Sequence, residues 1–384
     1  MNSRQKNLLL IFFALTFFIL LFIFRVKKDM VDFEVNYKAG KRLQMAETLY
    51  RVEDGHYMFK YLPSSAFLYI PLSLLPLNTA KTIWYFTTIF CSLCLFYISY
   101  KLIPLEKRKN SYMLIFPAII LAKFFFREID LGQINTLVIT ILLVMIWIMS
   151  HPKNTTSSQN QTYAGLLWGF SIALKPYSVI FLPYFIVRKK WKSLLSGFCF
   201  LLFALFIPVI YYGFQGNIIV LKEWFSTLSQ STPNLFTTWD NISIIAFFMK
   251  WSGNQILSIV LYGITIGLIA FILLFIILKG KNVTTPYVLE CSILLILVPL
   301  VSPLGWDYNL LMSILGIMLI IFNFSSFPKF WRIILIINFS IISLSIYDII
   351  GRDLYGKFMS LSILTINFLI ITGYLMYLRF RNSC

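Results

Sequence analysis

From Leu8 to Arg379 the chain alternates uncharged apolar runs, many of them of membrane-spanning length, with short clusters of lysine and arginine. A helix apolar on every side needs a bilayer or a large protein interior around it, so this alternation leaves little room for a soluble fold. Of the 384 residues, 59% are apolar, 18% aromatic and only 12% charged. An ordinary soluble domain carries roughly a quarter charged residues. Disorder is excluded as well, because it requires low hydrophobicity. The net charge of +18 would suit a nucleic-acid binder if the charges were gathered on one surface. They sit between apolar runs instead, as in the cytoplasmic loops of a polytopic protein. The sequence therefore predicts an all-α integral membrane protein, one domain over residues 1–384, with no nucleic-acid partner.

Spans are predicted near 8–24, 80–103, 112–126, 133–150, 163–174, 177–187, 191–213, 254–278, 286–301, 307–323, 329–348 and 358–379. The first follows Arg4 and Lys6 and lacks a small-x-small cleavage site, so it reads as a retained helix rather than a signal peptide. The fifth and sixth meet at Lys175-Pro176, where proline removes a donor and the preceding residue avoids helix. A break at membrane depth is tolerated where the backbone lines a cavity. With the N-terminus inside and twelve crossings, seventeen basic residues and one acid, Glu106, face the cytoplasm. That places both termini inside and the chemically mixed surface outside.

The first outer loop, residues 25–63, holds Asp29, Asp32, Glu34, Glu47, Glu53 and Asp54. Within it Val31, Val35, Ala39, Leu43 and Ala46 recur at helical spacing, predicting an amphipathic helix in the outer interface with Asp32 and Asn36 on its polar face. Ser64–Leu77, between Pro63 and Pro76, reads as a short element dipping into the interface. Four of the five cysteines, the Cys91-x-x-Cys94 pair among them, lie inside apolar runs and read as packing residues. His56 and His151 fall on opposite sides, no metal-ligand spacing exists, and neither a Walker loop nor a dinucleotide fingerprint is present.

Under this topology the polar groups of Asp32 with Glu34, residues 128–135, Lys175-Pro176, residues 239–241 and residues 302–309 converge on the outer side. Asp32 could act as a general base, since a carboxylate beside apolar surface is desolvated and able to take a hydroxyl proton, or simply as an acid complementing a helix dipole. Lys175 needs a partner within its uncharged stretch; an anionic lipid phosphate would serve, and so would snorkelling to the interface. Arg127 is either a second phosphate contact or a solvated interfacial charge. Gln133 and Asn135 can bind sugar hydroxyls or cap a helix. Trp239 and Trp306 can stack on a sugar ring or belong to the interfacial aromatic belt.

The ordered set resembles a known family, the GT-C membrane glycosyltransferases that use polyprenyl-phosphate sugars, specifically the polyprenol-phosphate-mannose-dependent α-mannosyltransferases of glycosyltransferase family 87. The matching elements are Asp32-Phe33 and Tyr50, Phe59-Lys60-Tyr61-Leu62-Pro63 ahead of Pro71 and Pro76, and Gly132-Gln133-Ile134-Asn135. Lys175-Pro176 with the basic run Arg188–Lys192, and Ser302-Pro303-Leu304-Gly305-Trp306-Asp307, complete the set. The family often has histidine just after the last tryptophan, where Tyr308-Asn309 stands here. The resemblance implies a GT-C fold with an extracytoplasmic site in the plasma membrane, a polyprenyl-phosphate sugar donor (mannose in some members, arabinofuranose in others) and no bound cofactor. It makes Asp32 the base, with Lys175 and Arg127 as candidate contacts of the donor phosphate. Gln133, Asn135, Trp306, Asp307, Tyr308 and Asp240 become candidate contacts of the sugar or of a glycolipid or glycan acceptor. A transporter or lipid-linked glycan flippase is the alternative reading, and would want pseudo-symmetry and midplane polar residues that the sequence does not display. A membrane scaffold, the third reading, leaves the outer acids and Lys175 unexplained.

Overall fold

A computed structural model of the chain describes residues 16–108, 111–150, 158–279 and 286–381. It is all-helical, with no strand among the described residues. The first half of the predicted 8–24 span, His151, Lys153 and Lys281 lie outside the described residues, and a helix runs over 16–24. The centre of the bundle is the pair Pro286–Val301 and Ile314–Phe322, whose side chains are buried almost without exception. Both are apolar on all sides, as a helix enclosed by other helices must be. At the opposite extreme Gln255–Lys279 is nearly as apolar yet presents Ile256, Leu268, Phe271 and Leu278 outward. An exposed apolar surface of that extent suits lipid rather than water.

Close helix contact depends on small residues. Ser158–Leu174 packs on Trp191–Phe206 with Gly165 against the Ser193 backbone, and Gly197 against the Trp168 ring. A Cβ at Gly197 would lie 2.4 Å from that ring. One ionic cluster ties helices together around Glu290. Glu290 accepts from Tyr184 Oη at 3.0 Å, from Arg188 Nε at 2.9 Å and from Arg379 Nε at 2.8 Å, with Arg188 Nη2 a further partner. Breaking a buried pair by removing one member typically costs about 3–5 kcal/mol, because the other charge is stranded.

Several predicted spans change shape. Among the described residues Leu77–Leu102, Gln255–Leu278 and Ile363–Phe380 are long and apolar enough to cross a membrane individually. The expected span 191–213 is instead two helices, Trp191–Phe206 and Val209–Ser231, bent by 90°. Pro208 at the junction lacks the N–H that would continue the first helix. The stretch 307–323 opens as a 3₁₀ turn, Asp307–Ser313, before its α-helix. The run 329–348 stops at Leu344, and the last helix starts at Ile363 after a separate short helix, Arg352–Ser360. Asn135–Ser150, Pro176–Val187, Pro286–Val301 and Asp307–Phe322 are apolar but shorter.

Within residues 25–63 a helix runs over Val31–Gln44 with Phe33, Asn36, Ala39, Gly40 and Leu43 buried, whereas Val31 and Val35 of the expected apolar stripe are only partly buried and Ala46 is exposed. Asn36 is thus not on the polar face: it is 1% exposed and donates from Nδ2 to the Asp32 carbonyl at 2.9 Å. Pro63–Tyr69 and Ile70–Ser73 form the short element that follows, and Gly40 fits against the Tyr69 backbone, where a Cβ would come within 2.8 Å.

Candidate active site

Asp32 is the second residue of Val31–Gln44, and three contacts fix where that helix begins. The Met30 N–H donates to the Asp130 carbonyl at 2.8 Å, and Trp84 Nε1 donates to the Gly132 carbonyl at 2.9 Å. Gly132, in the left-handed region at φ 68°, ends Ile115–Leu131; a Cβ there would lie 2.7 Å from Phe33 Cβ. The helix start is pressed against the turn that carries Gln133.

A chain of buried amides begins there. Gln133 Nε2 donates to Asp32 Oδ2 at 2.6 Å and to Tyr308 Oη at 3.1 Å, and its Oε1 accepts from Lys175 Nζ at 3.0 Å. Lys175 Nζ also donates to Asn135 Oδ1 at 2.8 Å, as does Tyr177 Oη at 2.6 Å. Asn135 Nδ2 and the Thr136 N–H donate to the two oxygens of Glu128, at 2.7 and 2.9 Å. Lysine can only donate and an ionised carboxylate can only accept, so the two ends dictate how both amides are turned. Lys175 occupies the break between Ser158–Leu174 and the turn Pro176–Ile180, 5% exposed, over the rings of Tyr61 and Tyr177.

A second cluster lies on the other side of Tyr308. Arg127 Nη1 donates to Asp307 Oδ2 at 2.6 Å and Nη2 to Asp240 Oδ2 at 2.9 Å, with the guanidinium over the rings of Trp239 and Tyr308. Asn241 stitches the two loops that supply these acids. Its Nδ2 donates to the Pro303 carbonyl at 3.1 Å, its Oδ1 accepts the Gly305 N–H at 3.1 Å, and the Ile242 N–H donates to the Gly305 carbonyl at 2.7 Å. A Cβ at Gly305 would fall 1.9 Å from the Pro299 carbonyl oxygen, so only glycine allows this approach.

The two clusters share one cavity of about 660 Å³, lined by Asp32, Lys60, Arg127, Gln133, Lys175, Asp240, Trp306 and Tyr308 among others. Asn135 and Asp307, 0% and 3% exposed, stand behind its wall and hold Lys175 and Arg127. Glu34 stands apart and pairs with Lys81 at 2.6 Å. A cavity combining a carboxylate, ammonium groups, amides and aromatic faces can bind a polyol, hold an anion and accept a proton.

A family model described as glycosyltransferase family 87 matches residues 59–303. The chain belongs to glycosyltransferase family 87. Neither the curated proteins nor the solved structures compared contain a match. As a family 87 glycosyltransferase it uses a sugar donor and an acceptor. Every candidate residue of the sequence lies in this cavity or directly behind it.

For Arg127 the geometry changes the emphasis, because two carboxylates already answer its charge. Lys60, Glu128 and Asn241 carry weight that the sequence does not assign them. The sequence places Lys60 in the family-like run 59–63 and Asn241 in the polar group 239–241, but gives neither a role of its own. Glu128 had a signal: it is a carboxylate seven positions before Asn135, across a glycine turn.

Proposed function

We propose that this family 87 glycosyltransferase moves a sugar, mannose in the first instance, from a polyprenyl-phosphate donor to a hydroxyl of a glycolipid or glycan acceptor, with inversion. The acceptor oxygen attacks the anomeric carbon while Asp32 takes its proton. The bond from that carbon to the phosphate oxygen breaks, and its electron pair leaves with the lipid phosphate. One displacement inverts the centre and needs no carboxylate nucleophile, and a cation beside the leaving phosphate meets the charge that develops there. The observation that carries this reading is Asp32 and Lys175 meeting across the single side chain of Gln133 at the wall of one cavity.

The same proposal places the chain as a twelve-span, N-in and C-in GT-C protein of the plasma membrane, with the cavity on the extracytoplasmic side and Val31–Gln44 lying in the outer interface. The Lys and Arg distribution supports that orientation. The cavity residues and the Glu290 cluster also fall at opposite ends of shared helices: Pro286–Val301 runs from near Glu290 towards the 302–309 loop.

The test is transfer of radiolabelled sugar by purified protein in liposomes, from polyprenyl-phosphate mannose and from polyprenyl-phosphate arabinofuranose, to candidate glycolipids. Transfer from a lipid-phosphate sugar, with the product anomer opposite to the donor's, is the expected result. Transfer only from a nucleotide sugar, or retention of the anomer, overturns the donor class or the mechanism.

A further inference from the structure

We propose that Lys60 is a second binding residue for the phosphate of the lipid donor, acting beside Lys175; the inference rests on the donor class proposed above. The cavity's cations are unevenly paired. Arg127 is answered by Asp240 and Asp307. Lys175 spends donors on the oxygens of Gln133 and Asn135 and keeps one N–H to offer. Lys60 also lines the cavity, and no ion pair or hydrogen bond joins its Nζ to another described residue.

Its backbone, by contrast, is held on both sides. Trp224 Nε1 donates to the Lys60 carbonyl at 3.2 Å, and Tyr50 Oη donates to the Tyr61 carbonyl at 2.6 Å. Phe59 next to it is buried at 1% exposure. A lysine on a fixed strut, half-buried at a cavity wall and in no ion pair with a described residue, is poised for an anion from outside the chain. Burial pushes the Lys60 ammonium below the usual lysine range, with the Asp32 carboxylate acting in the opposite direction. A bound phosphate would oppose that depression further. Because the leaving phosphate gains negative charge as its ester bond breaks, a cation here favours the transition state more than the bound donor.

The experiment compares polyprenyl phosphate with the neutral polyprenol of the same length, bound to the full chain in detergent and read by the fluorescence of the cavity tryptophans. Wild type should favour the phosphate. Lys60→Gln and Lys60→Met should weaken phosphate binding by about 10- to 100-fold, the range for a charge-assisted hydrogen bond, and leave polyprenol binding unchanged. Lys60→Arg should keep most of the preference. Unchanged phosphate affinity in both neutral variants, alongside a wild type that does prefer phosphate, overturns the role of Lys60 alone. A wild type without any preference overturns the lipid-phosphate donor and this inference together. If neither neutral variant folds, Lys60 is structural and the inference fails.

Discussion

Gln133 Nε2 sits 2.6 Å from Asp32 Oδ2, although 101 residues separate them in the chain. The contact holds the carboxylate through one oxygen and fixes its orientation at the wall of the cavity. A base for an incoming hydroxyl needs that fixed orientation.

Asp32→Asn should therefore lower turnover by about 10²–10⁴-fold, the usual contribution of a positioned base. The amide can still sit in the first turn of Val31–Gln44, so folding should be preserved. Asp32→Glu should also be poor, since displacement by about 1 Å can cost around 10²-fold. Glu34→Gln removes the partner of Lys81 instead and should show in thermal stability before it shows in turnover. Transfer rates and melting curves of the three variants decide the matter; near-wild-type turnover in Asp32→Asn ends the case for this base.

Glu128→Gln tests the ordered amides. A glutamine can present either face to Asn135, which removes the constraint that keeps Asn135 Oδ1 towards Lys175. Turnover should fall by about 10-fold or more, with donor KM rising, and Glu128→Asp should recover part of both. A loss confined to melting temperature, with kinetics intact in the folded fraction, would reduce Glu128 to packing.

Gly132→Ala forces a side chain into the left-handed region, at roughly 1–2 kcal/mol, and against Phe33. Because that contact seats the helix start carrying Asp32, the variant should lose turnover as well as stability. Alanine at Gly263, with open space around it, is the control and should do neither. Equal behaviour of the two variants contradicts the seating role.

Acid should loosen the loop over residues 45–58. Asp54 is held below its ordinary value of 3.8, chiefly by its hydrogen bonds to Arg42. Its folded pKa is thus lower than its unfolded one. The stabilisation is complete above the unfolded value and is lost as pH falls through the folded one, below about 4. Hydrogen exchange over 45–58 should accelerate in that window in the wild type. Asp54→Asn should exchange fast at every pH and show no such step.

The orientation has its own test. Single cysteines placed by Glu53→Cys and Lys107→Cys should react with a membrane-impermeant thiol reagent from opposite sides of sealed vesicles. Reaction of both from one side contradicts the topology and the outward-facing cavity.

Much of the cavity was legible because polar residues are rare in this chain and each needs a reason to be there. Lys175 stands out against its apolar surroundings, and the fold brings it to one place with Asp32, Gln133, Asp240 and Trp306. The partners of these residues were less visible. Asn241 earns its position through the 302–305 loop, some sixty residues on, a pairing that no local pattern encodes. Helix ends shifted for a related reason. Hydropathy continues smoothly through 206–213, and only Pro208 together with Gly213, at φ 65°, signals the right-angle turn. The predicted polar face of Val31–Gln44 failed at Asn36, whose amide is consumed by the backbone one turn back.

Order of synthesis gives the Glu290 cluster another meaning. Arg188 leaves the ribosome first, Glu290 about a hundred residues later, and Arg379 about ninety after that. Until Ile363–Phe380 arrives, the carboxylate has only Arg188 and Tyr184 to answer it. Ile363–Phe380 therefore works as a latch, and a chain in which it has not yet docked leaves Glu290 only partly answered at the end away from the cavity.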